Sequence, residues 1–175
     1  MRALSVSLLI FSVAFSLAAQ AHKREPLTQA QADQVADAGG NPAERIKLYI
    51  KFLDERAEAI KGLTNRPASD ARSRRLDDEL QDFAALTDEL ASNLDMYGDR
   101  KADLRTALKP LTEATPRWLT ILRALAGDSG FSTSRKEAIE SGEDLDDEAK
   151  RLLSEQTGYF SQHKDQSGQD RAEPQ

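Results

Sequence analysis

The stretch LDDELQDFAALTDELASNLDMY, residues 76–97, decides the fold. Leu76, Leu80, Phe83, Thr87, Leu90, Leu94 and Tyr97 recur in alternating steps of four and three. That spacing returns a side chain to the same face of an α-helix and never to the same face of a strand. The intervening positions are mostly acidic or small, so the segment has one apolar stripe and one solvated face. Gly98 is expected to end this helix, with Asp99 placed to cap the next.

The same period continues on both sides. Upstream, Ile46, Ile50, Leu53, Ala57 and Ile60 share a face, widened by Tyr49, Phe52 and Leu63. Asn41-Pro42-Ala43-Glu44 opens that helix with a capping residue, proline at the first helical position and an acid in the first turn. Before it, Thr28 and Gln31 form a capping-box pattern for a short helix over 28–38 that stops at Gly39-Gly40. Asn65-Arg66-Pro67-Ala68-Ser69 reads as a turn, because the residue before proline is biased out of helical geometry.

Downstream, Leu104, Leu108, Leu111, Thr115, Trp118, Leu122 and Leu125 keep the phase through Pro110 and Pro116. Each proline removes a backbone donor, so either a kinked continuation or a break at Thr115-Pro116 is expected. Gly127-Asp128-Ser129-Gly130 is a loop. Ser134 and Glu137 suggest a further capping box, and Gly142 an interruption, before the last helix with Leu145, Ala149, Leu152, Gln156 and Tyr159. Nothing alternates with period two. The expectation is an all-α protein, an antiparallel bundle of about four long amphipathic helices plus a short N-terminal helix. Residues 22–162 form the single domain and 163–175 a disordered polar tail. Leu76-Asp77-Asp78-Glu79 recurs as Leu145-Asp146-Asp147-Glu148. That echo fits two duplicated hairpins, although four such residues also recur by chance in a Leu/Asp/Glu-rich helical chain.

Residues 1–21 read as a cleaved secretory signal. Arg2 precedes a run of about 14 mostly apolar residues, and Ala19-Gln20-Ala21 supplies a small-residue cleavage site. The run is shorter than the roughly 20 residues a membrane-spanning helix needs. The chain is therefore expected to be exported, periplasmic or secreted, with no stable membrane insertion after cleavage. Removing 1–21 takes away Arg2 and no acid, which leaves 23 basic against 30 acidic residues, a net −7. That balance argues against nucleic acid as a partner.

The composition excludes further chemistry. The 175 residues contain no cysteine and two histidines, which removes disulfides, thiolate metal sites and cysteine nucleophiles. No Glu-x-x-His pair, P-loop, GxSxG or HExxH is present. His22, at the expected mature N-terminus, and His163 could offer nitrogen ligands to copper. Both lie outside the periodic segments and read as incidental. The acids Glu143, Asp144, Asp146, Asp147 and Glu148 lack the glycine-turned spacing of a calcium loop and suit a helix start. Arg72, Arg74 and Arg75 crowd the start of the third helix. A partner anion or another helix could use them, but a solvated face is the plainer reading. No cofactor and no catalytic residue is expected.

Trp118 to Ala126 is the most apolar stretch of the mature chain. Plainly read it is the most enclosed helix. The sharper reading leaves one side open as a groove for another protein, with Trp118, Leu119, Ile121 and Leu122 as candidate binding residues. Leu27-Thr28-Gln29-Ala30-Gln31 has the form LTxxQ and resembles the motif of small periplasmic helical stress chaperones and metal-responsive sensors. A second copy is missing, since Leu86-Thr87-Asp88-Glu89-Leu90 ends in Leu. The resemblance implies a chaperone-like or metal-responsive accessory role. Composition and pattern favour an exported helical bundle that acts by binding, in a structural or envelope-interaction role; the accessory role is the alternative.

Overall fold

The computed structural model describes residues 25–168, so the signal-like segment 1–21 and His22 lie outside the described residues. Five α-helices follow in order: α1 Gln29–Asp37, α2 Pro42–Thr64, α3 Asp70–Asp99, α4 Arg105–Arg123 and α5 Ser132–Gln162. A single 3-10 turn, Lys164–Gln166, follows α5. No strand is present among the described residues, and the protein is all-α. None of these helices is long and apolar enough to cross a membrane.

Local chemistry sets the helix starts. The Thr28 hydroxyl accepts the Gln31 N–H at 3.3 Å, and the Gln31 side-chain oxygen accepts the Thr28 N–H at 3.0 Å. This reciprocal pair satisfies two of the donors that every helix start leaves open. Gly39 then takes a φ of 59°, left-handed geometry that glycine adopts without steric cost. Asn41 accepts the Glu44 N–H at 3.0 Å, with Pro42 opening α2. Ser69 accepts the Arg72 N–H at 3.2 Å and starts α3.

The four long helices form a ring in which α2 packs on α3 and α4, and α5 packs on α3 and α4. Hydrogen bonds give the directions. Tyr49 reaches Glu89 and Arg56 reaches Glu79, so numbers rise on α2 as they fall on α3: antiparallel. Leu104 with Gln156 and Thr115 with Asp146 show the same for α4 and α5. Between α3 and α5, Asp77 meets Ser134 and Gly98 meets Leu152, so numbers rise together. Two antiparallel hairpins thus stack with α3 parallel to α5, and therefore α2 parallel to α4. The segment Arg100–Leu104 must cross the bundle end diagonally, since α3 and α4 occupy opposite corners. Their largest side chains still meet in the centre, Phe83 edge-on to Trp118 with ring centroids 6.0 Å apart.

The periodic residues fill this core as expected. Ile46, Leu53, Leu76, Leu80, Leu108, Leu111 and Leu145 are all fully enclosed. α4 is unbroken through Pro110 and Pro116, since the continuous apolar phase keeps its face packed on either side of each proline.

Several expectations about helix ends are corrected. Gly142 does not interrupt α5, which is continuous. A Cβ at Gly142 would lie 3.0 Å from a Leu119 methyl, so the glycine serves close approach of α4 rather than a break. Ser134 is not a cap either: α5 begins at Ser132, and the Ser134 hydroxyl donates to Asp77 across to α3. α3 runs past Gly98 to Asp99, and Lys101 rather than a glycine takes the positive φ of 57°. Asp103, not Asp99, holds the start of α4 by accepting the Arg105 N–H at 3.3 Å.

Tyr97 is 2% exposed, and its hydroxyl finds no hydrogen-bond partner among the described residues. Burying an unmatched hydroxyl costs about 1–3 kcal/mol. Tyr97→Phe is therefore expected to stabilise the bundle by about 1 kcal/mol, raising Tm by about 2–4 °C in a thermal melt. A lower Tm for this variant would show that the hydroxyl is satisfied in solution.

Candidate functional site

The apolar stretch of α4 is not an open groove. Trp118, Leu119 and Leu122 are 2%, 4% and 0% exposed, and Ile121 is half-buried against the core. The Trp118 indole N–H donates to Asp54 of α2 at 2.6 Å, which ties the ring inward. Leu119 fills the space opened by Gly142. The surplus apolar width is consumed because α4 is the shortest of the four long helices and packs against both α2 and α5. Among the described residues the only large hydrophobic side chain classed as exposed is Met96.

Of the acidic candidates on α5, Glu143 and Asp146 reach α4, and Glu148 is paired within α5. Glu143 pairs with Arg123, and Asp146 accepts the Thr115 hydroxyl at 2.5 Å and the Lys150 ammonium at 2.6 Å. Glu148 pairs with Arg151. No group of three or more His, Asp or Glu is placed to hold a metal ion among the described residues. The His163 ring stacks on Tyr159 with centroids 4.2 Å apart, its Nδ1 at 2.9 Å from the Tyr159 carbonyl.

The repeated Leu-Asp-Asp-Glu has a physical reading. Leu76 and Leu145 are both enclosed. Asp77 and Asp146 each accept a hydroxyl from a neighbouring helix, Ser134 and Thr115, and a donor one turn on, Gln81 and Lys150. Glu79 and Glu148 each pair with arginine: Glu79 with Arg56 at 3.0 Å, Glu148 with Arg151. The aspartate of each copy ties its helix to a neighbour, whereas the glutamate does so only in α3, since Glu148 and Arg151 both lie in α5.

At the end carrying the diagonal crossing, polar groups are also internally matched. Gln156, 7% exposed, donates to the Ala102 carbonyl at 2.9 Å and accepts the Leu104 N–H at 2.8 Å. Asp103 takes a two-point contact from the Arg105 guanidinium at 2.7 and 2.8 Å, and the Gly168 N–H at 2.8 Å. The Arg105 contact above all holds the Asp103 carboxyl at about 2, well below its ordinary value. The Arg105 guanidinium lies over the Phe160 ring, 4.6 Å from its centroid. So the first residues of the segment expected as a polar tail, 163–168, pack on α5 and the crossing; 169–175 lie outside the described residues.

The opposite end differs. Where the α2–α3 turn folds back, Arg66, Arg72 and Arg75 line a depression of about 350 Å³ with Leu63, Pro67 and Ser69. No acidic residue lines it. Pro67 and the Ser69 cap set the turn, and one helical turn separates Arg72 from Arg75, so the three arginines come from both sides of the bend. Arg75 shares Glu79 at 3.6 Å and remains 68% exposed. The Arg72 Nε–H is buried without a hydrogen-bond partner among the described residues. Sequence reasoning named Arg72, Arg74 and Arg75; the structure brings in Arg66, read only as part of a turn, and leaves Arg74 off the lining. The available signal was an arginine on each side of a proline turn.

The resolved pKa shifts lower acids and raise bases and the Tyr49 phenol. Burial, then Glu89, pushes the Tyr49 phenol far up. Asp103 and Asp128 are lowered, chiefly by the Arg105 side chain and by the Gly130 N–H respectively. Lys150 is raised by Asp146, Arg151 by Glu148 and Arg105 by Asp103. Each moves away from neutrality, opposite to the tuning a general acid or base requires.

Comparison with protein families, with curated proteins and with solved structures finds no match.

Proposed function

We propose that this chain is an exported helical bundle that acts by binding, in a structural or envelope-interaction role, rather than by catalysis. Its surface for a partner is the α2–α3 turn, not the enclosed face of α4. The observation that carries this reading is the arginine-lined depression: in a chain of net charge −6, three arginines line one concavity and no acidic residue lines it. Charge of one sign gathered in a concavity focuses the field and selects partners of the opposite sign. The shifts away from neutrality add support, because they run opposite to the tuning a general acid or base requires. Export rests on the sequence of residues 1–21, which reads as an address removed before the bundle folds.

A photo-cross-linking amino acid in place of Ala71, which lines the depression, tests the surface in the native envelope. The same residue in place of Thr157, exposed near the C-terminal end of α5, is the control. The expected result is a discrete adduct from position 71 and none from 157. No adduct at 71, or the same adducts at both, would overturn the reading.

A further inference from the structure

Taking the α2–α3 turn as the binding surface, on which this step rests, we infer that its depression is a site for a phosphate group, free in solution or on a lipid headgroup. Arginine presents its donors in a rigid planar fork that matches the oxygens of carboxylate and phosphate. A single carboxylate is matched by one such fork. Three forks around one concavity exceed what a carboxylate can use, whereas a phosphate offers up to two charges and several acceptor oxygens.

The partners of each arginine agree with this assignment. Arg66 has no ion pair among the described residues. Arg72 has Asp128 as its nearby acid, acting through space, while the Asp128 oxygens are held by the Ser73 hydroxyl and the Gly130 N–H, both at 2.8 Å. Its Nε–H is buried and has no hydrogen-bond partner among the described residues. Arg75 reaches Glu79 only at 3.6 Å, leaving donors turned to solvent. The start of α3, where cations are locally unfavourable, also forms this end of the bundle. A bound anion offsets the mutual repulsion of these side chains and that local cost together. Because Arg66 and Arg75 flank the bend, the site exists only when α2 and α3 are paired.

The test uses the full chain with two probes: inorganic phosphate by calorimetric titration, and co-sedimentation with vesicles of phosphatidylglycerol and phosphatidylcholine against phosphatidylcholine alone. Saturable binding to at least one probe is expected. Arg66→Gln and Arg72→Gln, checked for unchanged melting, should each weaken it by about tenfold or more. Arg74→Gln, off the lining, should stay within about twofold. Binding of inorganic phosphate assigns a free ligand, and binding of the anionic vesicles alone assigns a headgroup. No saturable binding to either probe overturns the inference, as does an equal loss in Arg74→Gln, which would mark general charge attraction. If binding fails while the position 71 adduct persists, the phosphate chemistry falls and the turn stands as the surface. If the adduct is also absent, both fall.

Discussion

Leu119→Asp is expected to unfold the bundle. Leu119 is 4% exposed and lies against Gly142 of α5. Truncating a buried leucine to alanine costs about 2–5 kcal/mol through lost transfer energy and the cavity left behind. Aspartate adds a carboxylate at a buried position, which costs several more unless the group is protonated. The sum, at least about 5 kcal/mol, is comparable with the whole stability of an ordinary domain. Circular dichroism should show loss of the cooperative melt at neutral pH, with Leu119→Ala falling between it and the parent. A parent-like Tm for Leu119→Asp would place the side chain in solvent and restore the open groove.

Gln156→Leu carries the second large effect. The side-chain amide serves both a carbonyl and an N–H of the diagonal crossing, Ala102 and Leu104. Leucine of similar size fills the space but leaves both backbone groups unmet where Ala102 and Leu104 are fully enclosed. Each orphaned group costs about 1–3 kcal/mol, so a loss of about 2–6 kcal/mol is expected in urea unfolding. Hydrogen exchange at the Leu104 amide should quicken by more than at amides in the middle of α3, since the crossing opens first. A loss under about 1 kcal/mol would mean that water takes over both bonds.

These two side chains mark how far the sequence could be read. Helix existence and the buried faces were legible because they depend on period alone: Ile46 to Ile60 and Leu76 to Tyr97 are buried as their spacing requires. The caps at Thr28 and Asn41 were legible because the bond joins residues three apart. Which helices are neighbours was not. A stripe says that a face is buried, not against what, so the parallel pairing of α3 with α5 was invisible. For the same reason Gly142 looked like a break and Ser134 like a cap, when each answers to a residue far away in sequence. Gln156 fell in phase with leucines and drew no attention, yet its amide is matched only by a loop over 50 residues back. The arginine depression was half legible. Arg72 and Arg75 stood out by charge, but Arg66 joins them only through the geometry of the bend.

The diagonal crossing also fixes an order of events. Each hairpin closes over a short turn, so its contacts are local and form early. Every bond between hairpins joins residues far apart in the chain: Asp54 to Trp118, Asp77 to Ser134. Neither hairpin can bury its stripe alone, because α3 and α4, joined by five residues, meet only across the centre of a finished ring. The slow step in folding is therefore expected to be the docking of two loosely formed hairpins, with the Gln156 amide holding the strap between them once they have met. A chain emerging from its N-terminal end presents α2–α3 first, with its apolar stripe exposed until α4–α5 follows. The interval before the second hairpin arrives is when this protein is most exposed to aggregation.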